Sequence, residues 1–242
     1  LFCSGAPCFA LPDKKANDVF LEFFPESSGQ NKNSASLNLP FEAYLGSVAQ
    51  KFPGRQVIAL IESRENKDAT FANKIGGRIA EYSMVLPPRG KLKTPVFVID
   101  GARAAGADAQ SVQKAVEESI GLGIVRQPMQ VQSWNKANRL KVSVTVNYKR
   151  FATEAARLII FIAEDDDKKP LVRQIEDVGY LAPGHMGNSI HTFTLDKSWF
   201  EAKRGQSERA GLKVVAILQQ FQTNKIFGVA QCGVEKSKGG WF

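Results

Sequence analysis

Three cysteines and two histidines supply all the thiol and imidazole chemistry in this 242-residue chain. Cys3 and Cys8, in LFCSGAPCFA, could close a small loop in an oxidising compartment. Cys232 lies in the apolar stretch KIFGVAQCGVE, where a cysteine more often serves as a small buried hydrophobe than as a reactive thiol. A redox role for Cys232 would ask a remote thiol to act without a helix N-terminus to lower its pKa. His185 and His191, in GHMGNSIH, have neither the spacing of a helical metal pair nor an evident carboxylate on a shared strand face. No zinc or copper site of the usual ligand types is expected from so few histidines and cysteines. The acidic run Glu164 to Asp167 could offer oxygens to calcium, but the KKP that comes next reads as an ordinary charged turn. Gly-x-Ser-x-Gly, P-loop and Gly-x-Gly-x-x-Gly patterns do not occur, so serine hydrolysis and nucleotide binding have no warrant. The expectation is a chain that uses no metal and no cofactor.

Charge and hydropathy narrow the partners. The chain holds 32 basic and 24 acidic residues, a net charge of +8, which permits peripheral contact with anionic surfaces. The basic residues are scattered, as at Lys14 and Lys15, in PPRGKLK and in EAKRGQSER, and do not interleave with aromatics, so no nucleic-acid platform is expected. No apolar run reaches the roughly 18 to 20 residues that span a bilayer, so no transmembrane segment is expected. The opening stretch is small and apolar and ends in Ala10 before the polar LPDKKAND, as the tail of a secretory signal peptide does. Residues 1–10 are read as that remnant, and the protein as periplasmic or secreted.

The elements that would position any site fall into two halves with different periods. In the first, DVFLEFF is a short apolar run rich in Phe, and QVIALIE is a second strand, apolar enough for a central parallel one. Pro40 opens a helical pattern with Phe41, Tyr44, Leu45, Val48 and Phe52 on one face. Asp68 is placed to cap a second helix, whose face is Phe71, Ile75, Ile79 and Tyr82. TPVFVID and ARAAGAD are two short strands turning at Gly101, and Asp108 caps a last helix with Val112, Ala115, Val116, Ser119 and Ile120 inward. The second half is strand after strand. RLKVSVTVNY alternates strictly, and ARLIIFIAE, LVRQIEDVGYL, SIHTFTL, GLKVVAILQQF and NKIFGVAQC succeed it between Gly, Pro and Asn turns, the pattern of a β-sandwich.

The order β, α, β, α, β, β, α and several segments resemble a bacterial family of secreted thioredoxin-like proteins of unassigned function, whose usual motif runs Glu-Leu-Phe-Thr-Ser-Gln-Gly-Cys-x-x-Cys-Pro. In this chain the corresponding stretch is VFLEFFPESSGQNKNSASLNLPFEAYLGSVA, KTPVFVIDGARAAGADAQSVQKAV matches more closely, and LKVVAILQQFQTNKIFGVAQ resembles the closing strands. The resemblance implies an α/β thioredoxin-like domain over 17–123, followed by an antiparallel β-sandwich domain over 128–234 and a flexible tail at 235–242. Aligned on the first helix, Ala35 and Asn38 stand where the family has its two cysteines, ahead of Pro40; aligned on the first strand, Gly29 and Lys32 do. Neither placement has a sulfur. Thr94 and Pro95 fall on the family's cis-proline turn, where a backbone edge can meet an extended peptide.

Three functions remain in view. The leading expectation is an exported, non-catalytic binding or assembly protein that has lost the CxxC dithiol, with Ala35, Asn38 and Pro40 as a vestigial turn and Thr94–Pro95 docking a protein or extended peptide. The alternatives are a thiol-disulfide oxidoreductase using a remaining cysteine, Cys232, and an accessory subunit of a larger exported or membrane-attached complex. The sequence leaves the oligomeric state open.

Overall fold

The computed structural model describes residues 18–25, 51, 57–62, 69–90, 92–106, 108–122, 126–136, 139–148, 155–166, 169–194 and 211–234. Ala35, Asn38, Pro40, Cys3, Cys8 and the tail at 235–242 lie outside them.

Among the described residues eleven strands accompany two helices. They run β1 (Val19–Phe24), β2 (Val57–Ile61), α1 (Ala69–Val85), β3 (Val96–Ile99), β4 (Arg103–Gly106), α2 (Ala109–Gly121), β5 (Met129–Lys136), β6 (Arg139–Asn147), β7 (Ala156–Asp166), β8 (Lys169–Leu181), β9 (Met186–Thr194), β10 (Gly211–Gln220) and β11 (Ile226–Gly233). Local expectations reappear in detail. Asp108 caps α2 by accepting from the Ser111 backbone N–H at 2.8 Å, and Val112, Ala115, Val116 and Ser119 are its buried face. On β6, Leu140, Val142, Val144 and Val146 are buried while Lys141 and Thr145 are exposed.

The fold class differs from the expectation of an α/β thioredoxin-like domain followed by an antiparallel β-sandwich. Strands from both halves form one mixed eight-stranded sheet in the order β11-β10-β7-β8-β2-β1-β3-β4, faced by a three-stranded sheet, β5-β6-β9. The join is made where β8 lies parallel to β2, with Ile61 opposite Leu171. With its 13 residues, β8 is long enough to pair with β7 along most of its length and still reach β2 at its start.

Packing reflects this continuous sheet. On one face, α1 sets Phe71, Ile75 and Tyr82 against Phe20 and Leu60 from the first half and Phe161, Val215 and Ile217 from the second. The opposite face is shared. Over β1 and β3, α2 packs Val112 and Val116 on Leu21, Phe23 and Phe97; over β7 and β10, the three-stranded sheet packs Val142 and Val144 on Leu158, Ile160 and Val214. Because β1 and β7 are covered on both faces, their sequences VFLEFF and LIIFIA carry apolar residues at nearly every position instead of alternating. Each fully buried Phe, Leu or Ile there contributes about 1.5–3 kcal/mol.

Two turns fix the junction. The Asp100 carboxylate accepts from the Phe20 N–H at 2.9 Å and from the Ser119 hydroxyl at 2.8 Å. Arg126 donates to Asp100, to the Ile226 carbonyl and, at 2.7 Å, to the Asp18 carbonyl, so one guanidinium ties strands of both halves together. Gly101 has φ +62, and a Cβ there would stand 1.9 Å from the Asn224 carbonyl oxygen, so only glycine allows this close approach.

Candidate functional site

Glu22 is the one charged residue in the apolar run of β1, and alternation points it to the α1 face of the sheet. Glu62 comes directly after the last residue of β2, and its N–H is held by the Phe23 carbonyl at 2.8 Å. The neighbouring strands therefore carry two carboxyls under α1, where Glu22 is 0% and Glu62 1% exposed. From above, α1 lowers Arg78 and, one turn on, Tyr82 onto them.

Arg78 donates through Nε to Glu22 Oε1 at 2.9 Å, and its Nη2 makes a second bond to the same oxygen. The Tyr82 hydroxyl donates to Glu22 Oε2, and receives Arg78 Nη2 at 3.0 Å and Gln219 Nε2 at 3.3 Å. Glu62 is left with a 3.4 Å approach from Arg78 Nε, and neither of its carboxyl oxygens has a hydrogen-bond partner among the described residues. The guanidinium also lies over the Phe161 ring, 5.1 Å from its centroid. Burial, then the charge of Glu22, pushes the Glu62 carboxyl well above its ordinary value, and Arg78 only partly opposes them. Burial, then Glu22, likewise raises the Tyr82 phenol well above its ordinary value. For Arg78, burial acts to lower the pKa, but its neighbours, the charge of Glu22 first among them, outweigh it and raise it well above its ordinary value. The geometry thus pairs Arg78 with Glu22, and the environment of Glu62 favours its protonated form.

The same helix reaches into the second half. Glu81 accepts from Arg157 of β7 at 3.0 and 2.5 Å, Arg157 also donates to Gln219 of β10 at 2.9 Å, and Lys74 donates to the Ile175 carbonyl of β8 at 2.7 Å. Burial raises the Glu81 pKa, but the Arg157 bond and charge outweigh it and leave the carboxyl below its ordinary value. The cluster thus welds α1 to β1, β2, β7, β8 and β10. Its four side chains are enclosed by protein.

Thr94 and Pro95 lie half-buried at the entry to β3, and the peptide bond between them is cis. This turn is held from α1, since Ser83, the neighbour of Tyr82, accepts the Gly90 N–H on its carbonyl at 2.7 Å and the Leu92 N–H on its hydroxyl at 3.4 Å. Lys93 is exposed, and the backbones of Lys93 and Thr94 make no hydrogen bond to another described residue. The other sequence candidates are dispersed. Cys232 sits on β11, 8% exposed, with its thiol 3.4 Å from the Ser133 hydroxyl it donates to. His185 is exposed before β9, whereas His191 is half-buried, 2.9 Å from the Ser189 hydroxyl and 3.3 Å from Glu176. Glu164 accepts from Arg173 Nε at 2.7 Å. Among the described residues, no group of three His, Cys, Asp or Glu side chains could hold a metal ion.

Sequence reasoning missed the buried cluster. Its visible signal was Glu22, an acid inside a run that must be buried on both faces, with Arg78 four residues before Tyr82 on a helix whose inward face was already marked.

No family model matches the chain, and no curated protein does. Among the described residues no helix is long and apolar enough to cross a membrane. A crystal structure of an Agrobacterium tumefaciens protein is similar over 95% of this chain and 100% of its own, at 16% identity and a TM-score of 0.56. A domain of the outer membrane lipoprotein Omp28 from Porphyromonas gingivalis matches 44% of this chain and 94% of its own, at 15% identity and a TM-score of 0.32. A hypothetical protein from Pyrococcus horikoshii matches 47% of this chain and 93% of its own, at 11% identity and a TM-score of 0.29. The Agrobacterium likeness shows a fold shared along the whole chain, both halves together, in place of an α/β thioredoxin-like domain with a separate sandwich behind it.

Proposed function

We propose that the chain is an exported, non-catalytic binding or assembly protein that docks an extended peptide segment of a partner along Lys93 and Thr94. The observation that carries this reading is the backbone of these two residues. It leads into β3, the strand beside the β4 edge, with Lys93 exposed and Thr94 half-buried; its polar groups are unclaimed by any described residue, and Ser83 of α1 holds the adjoining Gly90 and Leu92. Polar backbone that a sheet does not satisfy is what strand-addition binders offer to a ligand. The chemically loaded residues support a structural role for themselves: Glu22, Glu62, Arg78 and Tyr82 are enclosed, and Cys232 is buried against Ser133. The small, apolar opening stretch that ends in Ala10 supports export to the periplasm or beyond, and the net charge of +8 allows peripheral contact with an anionic surface there.

Selection of a displayed random-peptide library on the purified protein tests the proposal. Enriched sequences are expected to bind in extended form and to lose about tenfold in affinity to Thr94→Tyr, whose ring occupies the edge. Enrichment that is indifferent to Thr94→Tyr, or turnover in an insulin-reduction assay, overturns it.

A further inference from the structure

Among the described residues the two sheets have four edges, and three are managed. Along one side β11 and β5 meet: Gln127 donates to the Phe227 carbonyl at 2.6 Å, and the Ser133 hydroxyl donates to the Gly233 carbonyl at 3.1 Å. The β4 edge is four residues long and begins with Arg103. The fourth edge, β9, is nine residues long and carries no acidic, Lys or Arg side chain and no proline, the devices that ordinarily blunt an edge.

The ladder sets its hydrogen-bonding direction. Tyr148 donates to the His185 carbonyl at 2.9 Å, which makes that pair a hydrogen-bonded one, and such pairs alternate along antiparallel strands. Met186, Asn188, Ile190, Thr192 and Thr194 therefore turn their N–H and C=O groups away from β6, to the side on which no described strand pairs. Gln174 engages one of these groups, the Thr194 carbonyl, at 2.9 Å. The same five residues are the exposed ones on β9, Ile190 at 60% and Met186 at 74%.

We infer that β9 is a self-association edge, which pairs antiparallel with β9 of a second copy of this chain about a two-fold axis at Ile190. Ile190 is the middle of the strand, so a copy centred there sets Ile190 opposite Ile190 and Asn188 opposite Thr192. The central ladder then gains about six backbone hydrogen bonds between groups that already face outward. Charge selects the occupant. In a chain of net charge +8, the outward side chains of β9 are all uncharged, so none meets a like charge across the axis. The two three-stranded sheets become one continuous six-stranded sheet, a surface that goes beyond the peptide-docking turn and does not depend on it.

Sedimentation velocity on the full chain tests this. The wild type is expected to be a concentration-dependent dimer, and Ile190→Lys, which places two ammonium groups at the axis, to weaken it by about tenfold or more with an unchanged circular dichroism spectrum. In a Cys3→Ser, Cys8→Ser chain, Ile190→Cys should be joined into covalent dimers by a short bis-maleimide, and Met84→Cys, equally exposed on α1, should not. A monomeric wild type overturns the inference, and if its β9 amides are protected from exchange the edge is covered by another part of the chain. A dimer indifferent to Ile190→Lys, or cross-linked equally at both cysteines, overturns it as well.

Discussion

Replacing Glu62 by glutamine removes a proton-binding group while keeping nearly the same volume and polarity. Burial and Glu22 raise the carboxyl's pKa in the folded protein, so Glu62 favours folding fully below its unfolded-state value, and that contribution is lost as pH climbs to the folded-state value. Over that window the unfolded chain releases a proton that the folded chain keeps. The cost is about 1.4 kcal/mol for each pH unit. In a chain of this size that corresponds to about 3–5 °C of melting temperature per unit. Glu81, whose pKa is lowered, produces the opposite trend, with stability present above its unfolded-state value and lost on acidification. The wild type alone therefore shows the sum of both, and the difference between wild type and Glu62→Gln isolates one group. Thermal melts of the two proteins between about pH 5 and pH 8 should converge at the acidic end and diverge steadily above it, with the glutamine variant the more stable. Parallel curves, or a variant less stable at every pH, would refute the assignment of Glu62 as a buried neutral acid.

The same packing sets the outcome of further substitutions. Arg78→Met leaves Glu22 buried without its cation and should cost about 3–5 kcal/mol in urea denaturation, far more than its lost methylene contacts. Gly101→Ala meets both a positive φ and the Asn224 carbonyl, and should destabilise by about 2 kcal/mol or more in the same denaturation. Gly77→Ala, on α1 with open space around it, should instead stabilise by about 1 kcal/mol. In a Cys3→Ser, Cys8→Ser chain, Cys232 should resist iodoacetamide when folded and react once urea unfolds the protein; prompt labelling of the folded chain would make Cys232 a reactive thiol after all.

The features legible in the sequence were local. Asp108 before AQSVQKAV, the alternation of Leu140 to Val146 and the apolar runs of β1 and β7 each specify their element, because capping, pleat and burial act over a few residues. The β5 strand was not legible, since MQVQSWNK has only Met129, Val131 and Trp134 to signal it, and they do not share one face. The division into an α/β domain and a sandwich failed for a reason no local period can carry. The decisive contact is Ile61 beside Leu171, one register between strands far apart in the chain, which turns two sheets into one. The site was legible to the same degree. Thr94 and Pro95 could be placed at the entry to β3, and Cys232 could be read as a buried hydrophobe. The burial of Glu62 beside the Arg78–Glu22 pair was hidden, because it depends on Arg78 arriving from α1 and choosing Glu22 as its partner.

Peptide docking requires that the Lys93 and Thr94 backbone receive an extended ligand. Amide hydrogen exchange on the purified protein, with and without a selected peptide, reads those two N–H groups directly. Marked slowing is expected at Lys93 and Thr94, with the Tyr82 and Ser83 end of α1 unchanged. Saturated binding with no slowing at either amide would contradict docking along this turn.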